Sequence, residues 1–284
     1  MKTPCVIIAE IGVNHNGDIE IAKKLIMAAK SAGADLVKFQ KRTVDKVYTK
    51  AELDKPRESP WGKTNRDQKK GLEFGEKEYD IIDKMCKDIG IEWFISPWDL
   101  DSVDFMDKYN PRIWKIPSAL ITHKDLCEKV AKQRKLTYIS TGMSTIEEIN
   151  AVVNIFTKND CPFELMHCNA QYPLPEDERV NLRTVRSLRK YFNCKAGYSS
   201  HEAGIINAVA AVAIGASSIE KHITMDRAMP GSDQSASVEP GGFLRMVDYI
   251  RTVERCMGDG IKRVTEQEEA CKAKLRREGD IEYQ

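Results

Sequence analysis

Short apolar runs alternate with helical repeats along most of the chain. Runs rich in β-branched residues predict strands, and between them apolar residues recur every three or four positions, as in amphipathic helices. After the first run, the stretch VNHNGD predicts a turn, which places His15 in a surface loop and Asp18 at the start of a helix. Eight strands are predicted, at residues 6–11, 36–40, 92–97, 113–118, 136–141, 164–169, 195–200 and 218–224.

Eight successive strand-helix units are typical of a closed (β/α)8 TIM barrel, in which parallel strands fill the centre and helices cover the outside. The alternative is an open doubly wound sheet, which usually carries a glycine-rich GxGxxG turn after its first strand. That motif is absent from the sequence. We therefore predict an α/β protein with a single barrel domain over residues 1–260 and a charged C-terminal tail over residues 261–284.

The connection after the second predicted strand is unusually long. Residues 41–75 replace a loop that normally has about two to six residues, and they include ten Lys or Arg and six Asp or Glu. One interpretation is a solvated excursion. The other is a lid over the C-terminal end of the barrel, where enzymes of this fold hold their active sites. The sequence leaves both interpretations open.

Composition excludes several partners. The chain has 44 basic and 43 acidic residues, so no overall field attracts nucleic acid or an anionic membrane. The most apolar segment, residues 204–216, is too short to span a bilayer. Eight scattered cysteines without CxxC pairs indicate reduced thiols, so we expect a cytoplasmic protein with no nucleic-acid or membrane partner.

Polar side chains occur at the ends of all eight predicted strands. Because alternate residues of a strand share a face, Glu220 and His222 are expected to point into the barrel, and Lys221 toward the helices or solvent. Several unpaired charges could not be buried together, so their convergence implies a polar pocket, a metal or an anionic ligand. The other strand-end residues are Glu10, Lys38, Gln40, Ser96, Lys115, Ser118, Ser140, Thr141, His167, Asn169, Ser199 and His201.

Two kinds of site fit these residue types. His201 and His222 close adjacent strands and could hold one divalent ion with an open coordination position. The serines, with helix N-termini, could bind a phosphate that Lys38 and Lys115 neutralise. A simpler explanation exists for each residue alone, since a polar strand residue is often a satisfied core group and a serine often caps a helix.

Ordered motifs extend from the first predicted strand to the last. They are AEIGVNHNGD, ADLVKFQ, WGKT with LEF, FISPWDLDSVDF, WKIPS, STGMSTIEEI, HCNAQYPLP, GYSSHEAG and IEKHITMDRAMPGSDQSASVEP. Together they resemble the sialic acid synthases, phosphoenolpyruvate-dependent TIM-barrel enzymes that make N-acetylneuraminate and related nonulosonates. The resemblance covers almost the whole predicted barrel.

The resemblance implies a homodimeric transferase that condenses phosphoenolpyruvate with an N-acylated hexosamine such as N-acetylmannosamine. It also implies a manganese or magnesium ion that polarises the aldehyde, and release of phosphate by C–O cleavage. It assigns catalysis to Glu10, Lys38, Lys115 and Tyr172, substrate binding to Gln40, Ser96, Ser118, Ser140, Asn169, Ser199 and Asp233, and the metal to His201 and His222.

The sequence departs from the family pattern on the acceptor side. Leu120 occupies a position that is usually acidic, and Ala170 one that is often Asn in bacterial members. Most bacterial members also carry a small antifreeze-like domain after the barrel. The present sequence ends before such a domain, and we expect a separate protein to supply it. The WGKT stretch resembles animal members that use a 6-phosphorylated sugar. The donor is therefore better determined than the acceptor.

Two other functions remain open on sequence grounds. An aldolase or lyase acting on a related keto acid would use a metal, or Lys38 or Lys115 as a Schiff-base nucleophile. A catalytically inactive barrel that binds a sugar acid would explain Leu120 and the missing domain. Retention of both histidines, both lysines and the serines favours the synthase.

Overall fold

The computed structural model describes residues 3–276, which form one large parallel sheet, a small hairpin and surrounding helices. The β-branched runs of the sequence become the strands of the large sheet. The hairpin lies within the long connection after the second strand. The strands are β1 (Val6–Gly12), β2 (Leu36–Lys41), β3 (Pro56–Ser59), β4 (Gly62–Thr64), β5 (Glu92–Pro97), β6 (Ile113–Ile116), β7 (Leu136–Ser140), β8 (Phe163–Cys168), β9 (Ala196–Ser200) and β10 (Ser218–His222).

The large sheet closes into a barrel. Its strand order is β5-β2-β1-β10-β9-β8-β7-β6, and every ladder is parallel. Strands β5 and β6 lie side by side at the seam, so the predicted (β/α)8 TIM barrel is confirmed. The helices are α1 (Ile19–Ser31), α2 (Val44–Val47), α3 (Lys50–Leu53), α4 (Asn65–Gly71), α5 (Glu76–Ile89), α6 (Leu100–Asp107), α7 (Lys124–Ala131), α8 (Ile146–Lys158), α9 (Thr184–Phe192), α10 (Ile206–Ala213), α11 (Pro240–Cys256) and α12 (Glu266–Leu275).

The predicted strands and the observed ones differ by one or two residues, mainly at their ends. Strand β6 ends at Ile116 because Pro117 cannot donate to a ladder, and Ser118 begins a short 3-10 helix. Strand β10 ends at His222, two residues earlier than predicted. As predicted, Asp18 caps α1, accepting hydrogen bonds from Glu20 N and Ile21 N.

Two layers fill the inside of the barrel. Near the strand starts, six buried apolar side chains form a plug across the centre. Because side chains alternate along each strand, the next inward residues lie one step closer to the C-terminal end, and most of these are polar. A larger apolar core separates the strands from the helices. The plug consists of Ile8, Leu36, Phe94, Ile113, Tyr138 and Met166.

The insertion at residues 41–75 is folded, and it contains α2, α3, the β3-β4 hairpin and α4. Its two ends are fixed beside the barrel mouth, because Arg42 pairs with Glu73 at 3.0 Å and Asp99 accepts a hydrogen bond from Thr43 N at 2.6 Å. Several of its exposed charges pair with one another, as Arg66 does with Asp45 and Asp54. The insertion is therefore an ordered part of the mouth.

The expectation that His15 lies in a surface loop is wrong. Its side chain is 1% exposed and stacks on Phe74 at the end of the insertion, with ring centroids 3.8 Å apart. Its Nδ1 accepts a hydrogen bond from Gly17 N at 3.1 Å. The Gly71 carbonyl leaves no space for a side chain at Gly17, and the Trp61 side chain leaves none at Gly71. The insertion thus covers the loop after β1.

Burial of His15 makes stability depend on pH. Desolvation lowers the pKa of His15 from 6.5 to about 3, so the folded protein holds a neutral ring that the unfolded chain protonates. The neutral His15 ring therefore contributes fully to the stability of the folded protein when the pH is above the pKa of this histidine in the unfolded chain. The contribution is lost as the pH falls below that pKa. We expect wild type to lose about 1 kcal/mol more than His15→Phe between about pH 7 and about pH 5.5. Urea unfolding at both pH values measures this, and parallel losses would contradict it.

The described chain continues beyond the barrel as an exposed segment. Residues 257–276 are exposed throughout, and α12 buries none of its residues. Residues 277–284 of the predicted tail lie outside the described residues. All eight cysteines are free. Among the described residues, no helix combines the length and apolar character that crossing a membrane requires.

Candidate active site

A cavity of about 200 Å³ opens above the apolar plug, among the C-terminal ends of the strands. Eleven of the thirteen residues predicted for the site contribute to its wall. Those that line the cavity are Glu10, Lys38, Gln40, Ser96, Lys115, Ser118, Ser140, Tyr172, Ser199, His201 and His222.

Strand register explains why these residues meet. Glu10 on β1 is level with His222 on β10 and with Lys38 on β2. Glu220 on β10 is level with Ser199 on β9. Inward residues at the same level of neighbouring parallel strands face one another, so the alternation read from sequence assembles one polar layer.

An ion cluster forms the floor of the cavity. Lys115 Nζ lies 2.9 Å from Glu220 Oε2, and Lys38 Nζ lies 3.5 Å from Glu220 Oε1 and 2.8 Å from Glu10 Oε2. All four side chains are at least 95% buried. Gln40 Nε2 donates to Glu10 Oε1 at 2.9 Å. Two cations and two carboxyls therefore share one buried layer.

The two carboxyls have different proton affinities. Burial raises the pKa of Glu10 to about 7, against the attraction of Lys38. Burial acts on Glu220 in the same direction, but Lys115 and Lys38 together hold its pKa at about 2. Glu220 is thus a permanent anion between two lysines, whereas Glu10 can gain or lose a proton near neutral pH.

The serines offer hydroxyl groups around these lysines. Ser96 Oγ accepts from Lys38 Nζ at 2.9 Å, and Ser199 Oγ donates to Glu220 Oε1 at 3.2 Å. Ser118 Oγ accepts from the main-chain N–H of Gly142 at 3.0 Å. Ser140 Oγ is buried and has no hydrogen-bond partner among the described residues. Hydroxyls and ammonium groups in this arrangement can bind an anion with several oxygens.

Gly142 holds Ser118 in place and gives a test of the serine arrangement. A Cβ at residue 142 would lie 2.8 Å from Ser118 Oγ, so alanine must displace the hydroxyl. We expect Gly142→Ala to raise KM for phosphoenolpyruvate about tenfold, which corresponds to loss of roughly one hydrogen bond to a charged group. Steady-state phosphate release measures the change. Gly241→Ala is the control, because a Cβ there meets open space, and an equal rise in both variants would contradict the prediction.

Two histidines and a tyrosine form one side of the cavity. The His201 and His222 ring centroids are 5.5 Å apart. His201 Nδ1 lies 2.5 Å from the Asn169 carbonyl, which can only accept, so Nδ1 carries the proton and Nε2 has the lone pair. Tyr172 OH lies 2.7 Å from that Nε2 and donates to it. His222 Nδ1 is buried without a hydrogen-bond partner among the described residues.

These nitrogens fit a divalent ion. His222 has a buried ring nitrogen without a hydrogen-bond partner in the described part of the chain. A carbonyl fixes the tautomer of the neighbouring His201 ring. Both features are usual for histidines that bind a metal. In residues 3–276, no group of three His, Cys, Asp or Glu is arranged to hold an ion. An ion between the two rings would therefore keep positions open for substrate or water oxygens.

Two predicted residues do not line the cavity. The Asn169 side chain bonds within its own loop, to Arg179 O at 3.3 Å and to Gln171 N at 3.0 Å. Asp233 lies behind the histidines, with Oδ2 3.8 Å from His222 Nδ1.

The unusual Leu120 also lies outside the cavity wall. It packs against the apolar core, whereas Pro117 and Ala119 from the same turn line the cavity. Ala170 lines it as well. Among the described residues, Glu10 and Glu220 are therefore the two carboxyls of the wall.

Some wall residues were missed by sequence reasoning. Cys168, whose Sγ lies 3.8 Å from His201 Nδ1, is the next inward residue after Met166 on β8, so strand alternation could have identified it. Glu220 was recognised as inward but was not assigned a role. Trp98 and Met143 lie beyond the strands, where alternation gives no signal.

Known proteins resemble this chain over most of its length. The sequence profile of the NeuB family matches residues 25–262. N-acetylneuraminate-9-phosphate synthase of Mus musculus is 40% identical over 96% of this chain and 77% of its own length. N,N'-diacetyllegionaminic acid synthase of Campylobacter jejuni subsp. jejuni serotype O:2 is 40% identical over 93% of this chain and 80% of its own length.

Solved structures extend the likeness to the fold. The N-acetylneuraminic acid synthetase of Leptospira borgpetersenii serovar Hardjo-bovis superposes with a TM-score of 0.85 and 31% identity, covering 97% of this chain and 94% of that one. The sequence relatives and the solved structure cover more than nine-tenths of this chain, and the family profile covers the barrel from α1 onward. The chain therefore belongs to the NeuB family.

Proposed function

We propose that the protein is a nonulosonic acid synthase that condenses phosphoenolpyruvate with an N-acylated hexosamine. One observation carries this proposal: a single cavity is lined by Lys38, Lys115 and four serines and also by two imidazoles and a tyrosine. The first group suits a small phosphorylated acid, and the second suits a sugar carbonyl. Relatives that make N-acetylneuraminate 9-phosphate and legionaminic acid support the same reaction class.

In the proposed reaction, C3 of phosphoenolpyruvate attacks the aldehyde carbon of the open-chain sugar. Water adds to C2 of the donor, and the C–O bond to phosphate then breaks, giving the nine-carbon acid and inorganic phosphate. Lys38 and Lys115 bind the donor's anionic groups and keep them apart from Glu220. Glu10 supplies or takes up a proton at its carboxyl, since its pKa of about 7 suits both tasks.

Gln40 and Tyr172 are proposed to orient the sugar, and Asp233, whose Oδ2 lies 3.8 Å from His222 Nδ1, is proposed to act through that ring. The Gln40 side chain donates a hydrogen bond to Glu10. This bond would connect the carboxyl that exchanges a proton with the residues that bind the sugar. His201 and His222 would hold a manganese or magnesium ion, which when bound polarises the aldehyde oxygen. Asn169 would act through its carbonyl, which fixes the His201 tautomer. We also propose a cytoplasmic homodimer.

The experiment is phosphate release by the purified protein with phosphoenolpyruvate and Mn²⁺. The acceptors are N-acetylmannosamine, its 6-phosphate and a hexose with two N-acetyl groups. Phosphate release with at least one acceptor, and a nine-carbon acid identified by mass spectrometry, are expected. Donor labelled with ¹⁸O in the bridging oxygen should deliver the label to phosphate, because the C–O bond breaks.

Two outcomes would reject the synthase. One is no phosphate release with any acceptor while Mn²⁺ and donor both bind. The other is a covalent adduct trapped by borohydride with pyruvate, which would indicate an aldolase with a lysine Schiff base. Loss of phosphate release on chelation, restored by adding Mn²⁺, is expected for the synthase.

A further inference from the structure

A buried ion pair lies directly behind the two histidines. Lys221 and Glu202 are both 0% exposed, although Lys and Glu are rarely found fully buried. Lys221 points away from the barrel interior, as strand alternation predicts, but into protein and not into solvent. The synthase reaction uses neither residue, so their burial requires another explanation.

The pair connects the ends of two strands. Lys221 Nζ on β10 donates to Ser200 Oγ at 3.0 Å and to the main-chain carbonyl of Glu202, and it lies 3.9 Å from Glu202 Oε2. The Glu202 carboxylate accepts hydrogen bonds from Tyr198 OH and Ser200 Oγ. Among the described residues, the partners of the ammonium therefore belong to the end of β9 or to the residues just after it.

Each member of the pair is next to a histidine in sequence. Lys221 precedes His222, and Glu202 follows His201. Because neighbouring residues of an extended chain point to opposite sides, the ion pair forms outside the barrel while the two rings meet inside it. Fixing the outer pair consequently fixes the backbone positions from which both rings project.

The tyrosine of the site is tied to the same segment. Leu174 N donates to His201 O at 3.0 Å, and Leu174 forms a parallel bridge with Glu202. Gly204 allows this loop to approach, since a Cβ there would lie 2.1 Å from Glu176 Oε1. Tyr172, two residues before Leu174, is thereby held against the segment that carries His201.

We propose that the Lys221–Glu202 pair is a positioning element that sets the separation and orientation of His201 and His222. A buried ion pair contributes little stability compared with apolar residues of the same volume, so stability alone does not explain it. Directional hydrogen bonds from one ammonium to two acceptors, with a carboxylate oxygen beside them, do fix a geometry. The proposal rests on the proposed function in one respect, namely that the two rings bind the metal.

The test uses Lys221→Met, Glu202→Gln and the double variant, which leaves no buried charge unpaired if a single variant fails to fold. We expect Mn²⁺ affinity, measured by electron paramagnetic resonance, to fall about 10- to 100-fold, as for loss of other partners behind metal ligands. We also expect shifted imidazole ¹⁵N resonances of His201 and His222 in the metal-free variants.

Asp35→Asn is the matched control. It removes the Asp35–Arg251 contact of 3.1 Å at the opposite end of the barrel, so it should lower Tm without moving Mn²⁺ affinity or the imidazole resonances. The proposal is overturned if the Lys221 and Glu202 variants behave like this control. Should wild type fail to bind Mn²⁺, the metal part of the proposed function fails, while the metal-free resonances still decide whether the pair positions the rings.

Discussion

Replacing Lys115 by methionine is expected to lower kcat/KM for phosphoenolpyruvate by roughly 10²- to 10³-fold, the usual cost of losing one preorganised donor in a buried site. Methionine keeps the length of the side chain and removes the charge that lies 2.9 Å from Glu220. The donor would then face Glu220 with one cation, Lys38, in place of two. Steady-state phosphate release over a range of donor concentrations measures the loss.

Lys135→Met provides the control for this substitution. Lys135 lies just before β7, at the other end of the barrel, and its Nζ donates to Asn110 Oδ1 at 2.9 Å. The same charge is removed without touching the cavity, so kcat/KM should stay within about twofold of wild type. Similar activity in Lys115→Met and Lys135→Met would show that the floor of the cavity does not bind the donor.

The second large effect is expected at His222. His222→Ala removes the unpartnered buried nitrogen, so Mn²⁺ affinity should fall by more than the roughly 10- to 100-fold caused by losing a partner behind a ligand. Activity at saturating donor should fall with it, whereas the donor itself should bind as tightly as before. Titration with Mn²⁺ followed by electron paramagnetic resonance, and donor binding by calorimetry, measure the two parts separately.

His167→Gln separates a metal ligand from a structural histidine. His167 is on β8 and 8% exposed, but its ring faces away from the cavity, with Nε2 2.8 Å from Val180 O and the ring stacked on Tyr198. This variant should unfold at a lower temperature and bind Mn²⁺ normally. If His222→Ala also binds Mn²⁺ normally, the ion is not held by the predicted pair.

The inward face of most strands could be predicted because side-chain alternation is a local property, but on β8 the choice of His167 is wrong, since its ring faces away and Cys168 lines the cavity. Glu220 and His222 lie two residues apart and both line the cavity, as the pattern requires. Lys115 and Ser118 are three apart, yet both line it, because the chain leaves β6 at Pro117 and turns. For Ser118, family resemblance placed the residue and strand alternation did not.

Other features depend on contacts between distant parts of the chain. Burial of His15 requires Phe74, and burial of Lys221 requires the turn after β9, so neither follows from the residues around it. The helices and hairpin of residues 41–75 are too short to give a periodic signal. Trp98 enters the cavity wall from beyond β5, where the chain direction is set by packing.

The apolar plug beneath the ion cluster has a kinetic consequence. It fills the barrel below Lys38 and Lys115, so a ligand reaches these lysines from the strand ends. A donor bound to those lysines would lie deepest, with the sugar above it beside Tyr172. Phosphoenolpyruvate must then enter before the acceptor, and phosphate can leave only after the nine-carbon product has moved out. Product-inhibition kinetics are therefore expected to show an ordered mechanism, with the donor binding first and phosphate leaving last.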